Sequence, residues 1–270
     1  MYSRRTVDVA LVLSAIGVLD SENAQILGVS IGAIRHWRCG RRRRGAASDD
    51  PARAPIRLCP RCDGLAVDEG TYAYLLGLYL GDGYLTAGRR GVYGLSLMCG
   101  NDWPGLIDAA QAAMSRVVPT SKVFRVPRPG CTEVKSWSKH WACLFPQHGS
   151  GRKHSRVIAL EPWQQTIVAA FPGEFARGLF HSDGCRVTNQ VTRKLPAGEK
   201  HYSYPRYFFS NESADILRLC GDVPDLLGVA WRYSRRNAIS VARRDAVARL
   251  DEFVGPKYWV VRRTSRRPPN

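Results

Sequence analysis

The sequence lacks any apolar run near the roughly 20 residues that a membrane-spanning helix requires. Its first residues also lack the cleavage site and the apolar length of a secretory signal. Acidic residues are scarce, with 23 Asp and Glu against 40 Lys and Arg, and the formal net charge is +17. We therefore expect a cytoplasmic protein that has no membrane partner and binds a polyanion.

Lysine is also rare, because only 7 of the 40 basic residues are Lys and the other 33 are Arg. An Arg-rich and Ala-rich chain is what a GC-rich genome tends to encode. The positive charge thus has two explanations, codon usage or a polyanionic partner, and the motifs must decide between them.

The eight cysteines show no disulfide framework, and only one pair, Cys59 and Cys62, has Cys-x-x-Cys spacing. Reduced thiols in a cytosolic protein fit this scatter. A structural Zn²⁺ needs four ligands. Since a second Cys-x-x-Cys is absent, a zinc site at Cys59 and Cys62 would have to recruit His36, Cys39 or a distant residue.

Residues 20–38 have the pattern of a helix-turn-helix. Ala24 is small where the two helices would touch, Gly28 lies in the turn, and Ser30 caps the second helix. That helix would bury Ile34 and Trp37. Three other side chains would then face a DNA major groove: Ile31, Arg35 and His36. An ordinary helical hairpin is the alternative.

A run of four arginines follows this pattern: Arg41, Arg42, Arg43 and Arg44. We interpret the run as an arm that contacts the phosphate backbone, because such contacts need only positive charge and reach. The alternative is a solvated charge run. Residues 1–45 therefore form a predicted all-α DNA-binding domain, and residues 46–69, which contain the Cys-x-x-Cys pair, form a predicted linker.

From about residue 70 the pattern becomes a helix, a strand pair, a helix and another strand pair, and this order occurs twice. It predicts an α+β fold built from an internal repeat of about 100 residues. The first repeat covers residues 70–160, and the second covers residues 161–270 with a basic C-terminal tail.

The helix that opens each repeat ends in the same way. Residues 75–83 read LLGLYLGDG, and residues 176–184 read ARGLFHSDG. Small residues four positions apart give each helix a smooth stripe where another backbone can approach; these are Gly77, Gly81, Gly178 and Ser182. We expect the two helices to pack together and to end in left-handed caps at Gly83 and Gly184.

This packing would bring together Asp82 and Asp183, which are 101 positions apart (183 minus 82). Two close carboxylates at helix C-termini favour a divalent cation between them, Mg²⁺ or Mn²⁺. A single Asp-Gly is explained as a helix terminator. Two of them in matching repeats favour a metal site that activates water for phosphodiester hydrolysis.

The paired segments resemble the LAGLIDADG motif of homing endonucleases, in the monomeric type with two motifs. The resemblance covers roughly residues 70–262. It implies a pseudo-twofold, duplicated αββαββα domain whose antiparallel saddle sheets lie in the major groove of double-stranded DNA. It also implies a nucleoid-associated, intron- or intein-derived hydrolase that cuts both strands at a specific site and leaves short 3′ overhangs.

The match departs from the family at the motif's first acidic position, which holds Leu80 and His181. In the family that position is not a metal ligand, so activity is not excluded. The resemblance also implies a Lys or Gln near the metals from each half, to orient water and screen phosphate charge. By position, the candidates are Gln147, Lys153 and Lys257.

Several arginines fall on predicted strands or turns of the second repeat, where a major-groove sheet would present them to guanine edges or phosphates: Arg186, Arg193, Arg206, Arg232, Arg235 and Arg236. Near the end of the first repeat, His140, His148 and His154 stand close to Cys143. Their spacing matches no zinc pattern, and phosphate contact is the simpler explanation.

Two other functions stay open at the sequence level. One is a nuclease-inactive DNA-binding transcriptional regulator that combines the LAGLIDADG fold with a helix-turn-helix, and the other is a maturase acting on intron RNA. Retention of Asp82 and Asp183 favours the endonuclease, because a pure binder gains nothing from two repelling carboxylates beside phosphates. The helix-turn-helix favours duplex DNA over RNA, whose deep, narrow major groove admits no recognition helix.

Overall fold

The repeat pattern folds as two similar α+β halves. The computed structural model describes residues 2–38, 59, 61–62, 64, 66–196, 198–255 and 257. The chain divides into two compact units, Met1–Ile56 and Arg57–Asn270. Among the described helices, none combines the length and apolar character needed to cross a membrane.

The described residues 2–38 of the first unit form three helices, which are α1 (Arg4–Ala15), α2 (Asp20–Leu27) and α3 (Ile31–Arg38). The turn after α2 uses Gly28 with a φ of 62°, a left-handed conformation that glycine adopts without steric cost. The hydroxyl of Ser30 accepts the backbone N–H of Ala33 at 3.2 Å and so caps α3. Ile34 and Trp37 are buried in this unit's own core.

The first half of the second unit follows the predicted order. Its elements are α4 (Glu69–Asp82), β1 (Gly83–Ala87), β2 (Tyr93–Gly100), α5 (Pro104–Val117), β3 (Val123–Arg128), β4 (Cys131–Ser138) and α6 (Trp141–Leu144). The side chain of Asp68 caps α4 by accepting the N–H of Thr71. The sequence pattern of residues 132–145 is strand-like throughout, but the strand ends at Ser138 and residues 141–144 form α6.

The second half repeats this order after one additional helix. Its elements are α7 (Pro162–Ala170), α8 (Pro172–Ser182), β5 (Gly184–Leu195), β6 (Gly198–Ser210), α9 (Ala214–Leu226), β7 (Arg232–Arg235), β8 (Ala238–Val241) and α10 (Arg244–Val254). Pro172 separates α7 from α8 and occupies the first position of α8, where its missing N–H costs nothing.

Each half contributes one four-stranded antiparallel sheet. The strand orders are β1-β2-β4-β3 and β5-β6-β8-β7, so corresponding strands occupy corresponding places. The hairpin of β5 and β6 is long, at 12 and 13 residues, whereas β1 has only 5. The predicted α+β class with two antiparallel sheets is confirmed.

Helices α4 and α8 pack against each other through backbone contact. A Cβ added at Gly178 would lie 2.2 Å from the carbonyl oxygen of Tyr74, and one added at Gly77 would lie 2.6 Å from that of Phe175. One turn further along, a Cβ at Gly81 would lie 2.1 Å from Oγ of Ser182. The small-residue stripes therefore let the helices approach more closely than side chains permit.

The predicted left-handed caps at Gly83 and Gly184 were wrong. Gly83 has a φ of −90° and a ψ of 152°, and neither glycine has positive φ. Gly83 begins β1 directly after α4, and Gly184 begins β5 one residue after α8, because the backbone turns back over the last helical turn. A Cβ would lie 2.6 Å from Cα of Tyr79 at Gly83 and 2.6 Å from Cα of Phe180 at Gly184. Close approach explains these glycines.

We predict that Gly178→Ala destabilises the second unit by roughly 3 kcal/mol, the upper part of the range for overpacked cores. The added methyl group meets rigid backbone on the partner helix, which outweighs the gain in helix propensity. The control is Gly70→Ala in the partner helix α4, where the atom nearest to the added Cβ is a side-chain carbon of the partly exposed Phe171 at 3.3 Å. Urea unfolding measures the free energy of unfolding of both variants. Equal values for Gly178→Ala and Gly70→Ala would contradict the prediction.

Candidate functional site

The two motif helices end at the same cleft. Asp82 is the last residue of α4, and Asp183 directly follows α8. Both residues line one cleft of about 790 Å³. The close packing of the helices joins these ends, since a Cβ at Gly81 would lie 3.1 Å from Oδ2 of Asp183. The structure thus brings together the two carboxylates singled out in the sequence.

The environment of the carboxylates opposes their negative charge. Burial, and then the charge of Asp183, raise the pKa of Asp82 to about 6. Burial also raises the pKa of Asp183. The positive charges of Lys153 and Lys257 lower the pKa of both carboxyl groups and so partly offset this effect. The cleft therefore disfavours the ionisation of both carboxylates at once.

Asn211, which the sequence analysis missed, holds Asp183. Its Nδ2 donates to Oδ2 of Asp183 at 2.6 Å and helps to keep that group ionised. Asn211 directly follows β6, and the corresponding residue after β2 is Asn101, whose Oδ1 accepts from Thr132 instead. The only signal in the sequence was an Asn at the end of a predicted strand, which is too common to single out.

Two lysines occupy the ends of the motif helices. Nζ of Lys153 donates to the carbonyl oxygens of Leu80 at 2.9 Å and Gly81 at 2.8 Å, and also to that of Tyr79. Nζ of Lys257 donates to the carbonyl oxygens of Ser182 at 3.3 Å and of Gly184. Each ammonium group thus meets the negative end of a helix dipole, one in each half.

Burial lowers the pKa of Lys153, to about 8, and also the pKa of Lys257. The nearby carboxylates partly offset this effect on both lysines.

Gln147, the other candidate in the first half, does not line the cleft. Its buried amide donates to the carbonyl oxygen of Ala159 at 2.7 Å and bonds with Gln164. Of the two first-half candidates, only Lys153 lies beside the carboxylates.

Residues 148–156 form a basic wall of the cleft, which the sequence analysis recognised only in part. The wall carries His148, Arg152, Lys153, His154 and Arg156. Arg156 is held by Gly151, whose carbonyl oxygen it meets at 2.7 Å. The first acidic positions of the motif take no part, because Leu80 and His181 are buried and His181 bonds with Tyr74.

The second sheet has a helix-covered face and an outer face. Tyr207 and Phe209 are buried on the covered face, and strand register assigns three arginines to the outer face: Arg193, Arg206 and Arg232. Arg206 is fixed there by Ser240, whose Oγ lies 2.7 Å from its Nε. These arginines can meet a ligand that lies along the sheet.

Arg186 departs from this pattern. It pairs in register with Tyr207, on the helix-covered side, and its guanidinium forms two hydrogen bonds with Asp251 of α10 at 2.7 and 2.8 Å. The register therefore separates Arg186 from the arginines of the outer face. Arg235 lies on the outer-face register beside a β-bulge, and Arg236, in the following turn, lies 3.7 Å from Glu212.

The outer face of the first sheet carries a charged cluster that the sequence analysis missed. The side chain of Glu133 is 1% exposed and accepts from Arg128 at 2.6 Å, from Ser96 at 2.8 Å and from Lys135 at 3.1 Å. Arg128, first among these partners, lowers the pKa of Glu133 to about 2. Exposed Phe124 and Trp137 flank the cluster on the same face by register.

In the first unit, the three side chains predicted to face DNA are exposed. Ile31 is 42% exposed, and His36 is exposed beside it on α3. Nε of Arg35 lies 3.5 Å from Asp20 at the start of α2. The predicted phosphate arm, Arg41 to Arg44, lies outside the described residues, as does Cys39.

Cys59 and Cys62 lie beside His140 and Cys143, and not in the cleft. One ligand atom from each of the four residues lies within 4.8 Å of the others. His140 had been interpreted as a phosphate contact, and the structure instead assigns it to this cluster. This pairing could not be predicted from the sequence, because 81 positions separate Cys62 from Cys143.

Comparison with known proteins gives weak similarities to solved structures alone. No family model and no curated protein matches the chain. Mesophilic variants of the homing endonuclease I-DmoI share 17% identity, over 68% of this chain and 90% of theirs, with a TM-score of 0.44. The LAGLIDADG meganuclease I-AabMI bound to uncleaved DNA shares 11%, over 67% and 82%, with a TM-score of 0.44. The homing endonuclease I-WcaI bound to its DNA recognition sequence shares 12%, over 72% and 84%, with a TM-score of 0.43.

We predict that Glu133→Gln destabilises the protein by about 1–3 kcal/mol at pH 7, because two cations lose a buried carboxylate. The folded pKa of about 2 lies below the ordinary value of 4.5. This stabilisation is therefore complete above pH 4.5 and is lost as the pH falls towards 2. Urea unfolding at pH 7 and pH 3 measures the free energy of unfolding of wild type and variant. The difference between the two proteins should be smaller at pH 3 than at pH 7.

The matched control for this prediction is Glu252→Gln, which removes an exposed carboxylate from an i,i+3 pair with Arg249. Exposed pairs contribute little, so we expect almost no change at either pH. A Glu133→Gln difference that stayed constant between pH 7 and pH 3 would assign the loss to packing instead of charge.

Proposed function

We propose that this chain is a divalent-metal-dependent endonuclease that cuts double-stranded DNA at a specific site. One observation carries the proposal: equivalent helices deliver Asp82 and Asp183 to one cleft, and a lysine from each half donates to carbonyl oxygens at the ends of these helices. A simple helix terminator needs no such convergence. The LAGLIDADG resemblance of the two motifs supports the same activity.

The donor set fits a hard divalent cation such as Mg²⁺ or Mn²⁺. Asp82 and Asp183 offer carboxylate oxygens, the donors that these ions prefer, in a cleft whose burial already raises the pKa of both groups. A bound cation would neutralise the pair, polarise a phosphodiester and lower the pKa of an attacking water. Asn211 would orient the carboxylate of Asp183 for this task.

The cations of the cleft would bind and orient the phosphodiester. Lys153 and Lys257 are held at the helix ends, where they screen the negative charge of phosphate and carboxylates. The basic wall of residues 148–156 would attract the strand next to the cut site. Because these groups are fixed before the substrate binds, little reorganisation is needed during the reaction.

The outer faces of the two sheets would supply most of the DNA-binding surface. The second face carries arginines suited to guanine edges and phosphates, and the first face carries Arg128 and Lys135 with exposed aromatic side chains. In the first unit, α3 would act as the recognition helix of a helix-turn-helix that lengthens the target site. One chain contains both carboxylates, so a monomer suffices.

We predict that Asp82→Asn and Asp183→Asn each slow Mg²⁺-dependent cleavage by at least ~10²-fold. Each removes a cation ligand but leaves the cleft shape intact. DNA affinity should stay equal or rise, because a negative charge beside phosphate is lost. Asp222→Asn makes the same change at an exposed position outside the cleft and should cut normally. Unaltered cutting by either cleft variant would reject the metal-ligand assignment.

The target is identified by incubating the full chain with a randomised duplex library, once with Mg²⁺ and once with EDTA. Bound and cut molecules are scored separately. The proposal expects selective binding under both conditions and double-strand cuts only with Mg²⁺. Selective binding without cutting in Mg²⁺ or Mn²⁺ would instead support a transcriptional regulator.

We also predict that Arg193→Ala and Arg232→Ala weaken DNA binding, and that each phosphate contact removed lowers the slope of log affinity against log salt by about 1. Arg186→Ala is the matched control, because Arg186 already pairs with Asp251 on the covered side. Fluorescence anisotropy measures the DNA affinity of the outer-face variants and of the control at salt concentrations from roughly 50 to 200 mM. The slope of log affinity against log salt should fall for Arg193→Ala and Arg232→Ala but not for Arg186→Ala. A larger loss from Arg186→Ala would place DNA on the opposite face.

A further inference from the structure

The four-residue cluster at Cys59, Cys62, His140 and Cys143 lies apart from the carboxylate cleft, and none of these residues lines that cleft. Its members come from two short segments with the same internal spacing. Cys59 and Cys62 belong to the turn that precedes α4, and His140 and Cys143 belong to the first turn of α6. Two pairs with x-x spacing are typical of a closed tetrahedral metal site.

The distances fit such a site. The four ligand atoms lie within 4.8 Å of one another. Around one tetrahedral Zn²⁺ with bonds of about 2.3 Å, sulfur ligands lie roughly 3.8 Å apart. Sγ of Cys62 and Sγ of Cys143 are 3.2 Å apart, which is too far for a disulfide bond of about 2.05 Å. One ion can therefore meet all four side chains after small adjustments.

Two features prepare the cluster for a cation. The backbone N–H of Cys62 donates to Sγ of Cys59 at 3.3 Å, which orients that sulfur within the cluster. In addition, Nδ1 of His140 is buried without a hydrogen-bond partner among the described residues. Ligation at this nitrogen would satisfy a polar atom whose burial otherwise costs free energy.

We propose that Cys59, Cys62, His140 and Cys143 bind one structural Zn²⁺. Three thiolates and an imidazole are the donors that Zn²⁺ prefers, and they fill all four positions, which leaves no open site for catalysis. Binding releases the thiol protons to water, so the site forms more readily as pH rises. The ion joins the segment before α4 to α6.

This link supports the start of the first motif helix. Near the base of α4, the hydroxyl of Tyr72 donates to the carbonyl oxygen of Leu144, the last residue of α6. Arg61, between the two cysteines, stacks over Trp163 at 4.8 Å. A zinc crosslink therefore fastens the chain that enters α4 to the same structure that α4 packs against.

Metal analysis of the full chain, purified from zinc-supplemented medium and dialysed against a weak chelator, tests the proposal. We expect one zinc per chain in wild type and its loss in Cys62→Ser and Cys143→Ser. Cys131→Ser, the same change outside the cluster, should retain zinc. Asp183→Asn should also retain it, which distinguishes this site from the carboxylate cleft and makes the outcome independent of nuclease activity.

Titration of the metal-free wild-type chain with Co²⁺ provides a test that needs no variant. Three thiolates and one imidazole predict tetrahedral d–d absorption and a sulfur-to-cobalt charge-transfer band, both removed when Zn²⁺ displaces Co²⁺. Wild-type protein without zinc or the cobalt spectrum would overturn the proposal, as would a Cys62 to Cys143 disulfide found by mass spectrometry. Zinc retained in full by both cysteine variants would overturn it as well.

Discussion

Backbone contact between α4 and α8 is the constraint on which the rest of the second unit depends. Gly77 and Gly178 remove the side chains that would separate the helices, and the pair Gly81 and Ser182 continues the contact to their ends. Because each helix passes directly into the first strand of its own sheet, this contact fixes where both sheets begin. The same contact brings the two carboxylates to one cleft. The contact that packs the two halves together therefore also positions Asp82 and Asp183.

Much of this arrangement was predictable because it depends on local patterns that occur twice. Helical apolar runs, strand alternation and the duplicated small-residue stripes indicated the α+β repeat and the approach of Asp82 to Asp183. The caps at Gly83 and Gly184 were mispredicted because glycine permits both positive φ and close approach, and sequence does not separate these uses. The short helix α6 was missed because its aromatic residues are equally compatible with a strand.

Side-chain partners across long sequence distances were largely beyond prediction. In the sequence, Arg186 cannot be distinguished from the other arginines on strands. Its register with Tyr207 and its ion pair with Asp251 place it on the covered face. The buried Glu133 and the Asn211 contact depend on neighbours that only the folded sheets supply. His140 and Cys143 were noticed in the sequence, but their relation to Cys59 and Cys62 required the fold. Each of these features is set by tertiary structure and not by spacing.

The unequal hairpins limit how far the twofold relation extends. At about 3.4 Å per residue, the 12 residues of β5 span about 40 Å, whereas the 5 residues of β1 span about 17 Å. Within the second unit, the two halves therefore match most closely where α4 meets α8 and differ in the length of their hairpins. A rod-like ligand centred on the pair of carboxylates would therefore be covered further on the side of the second sheet than on the side of the first.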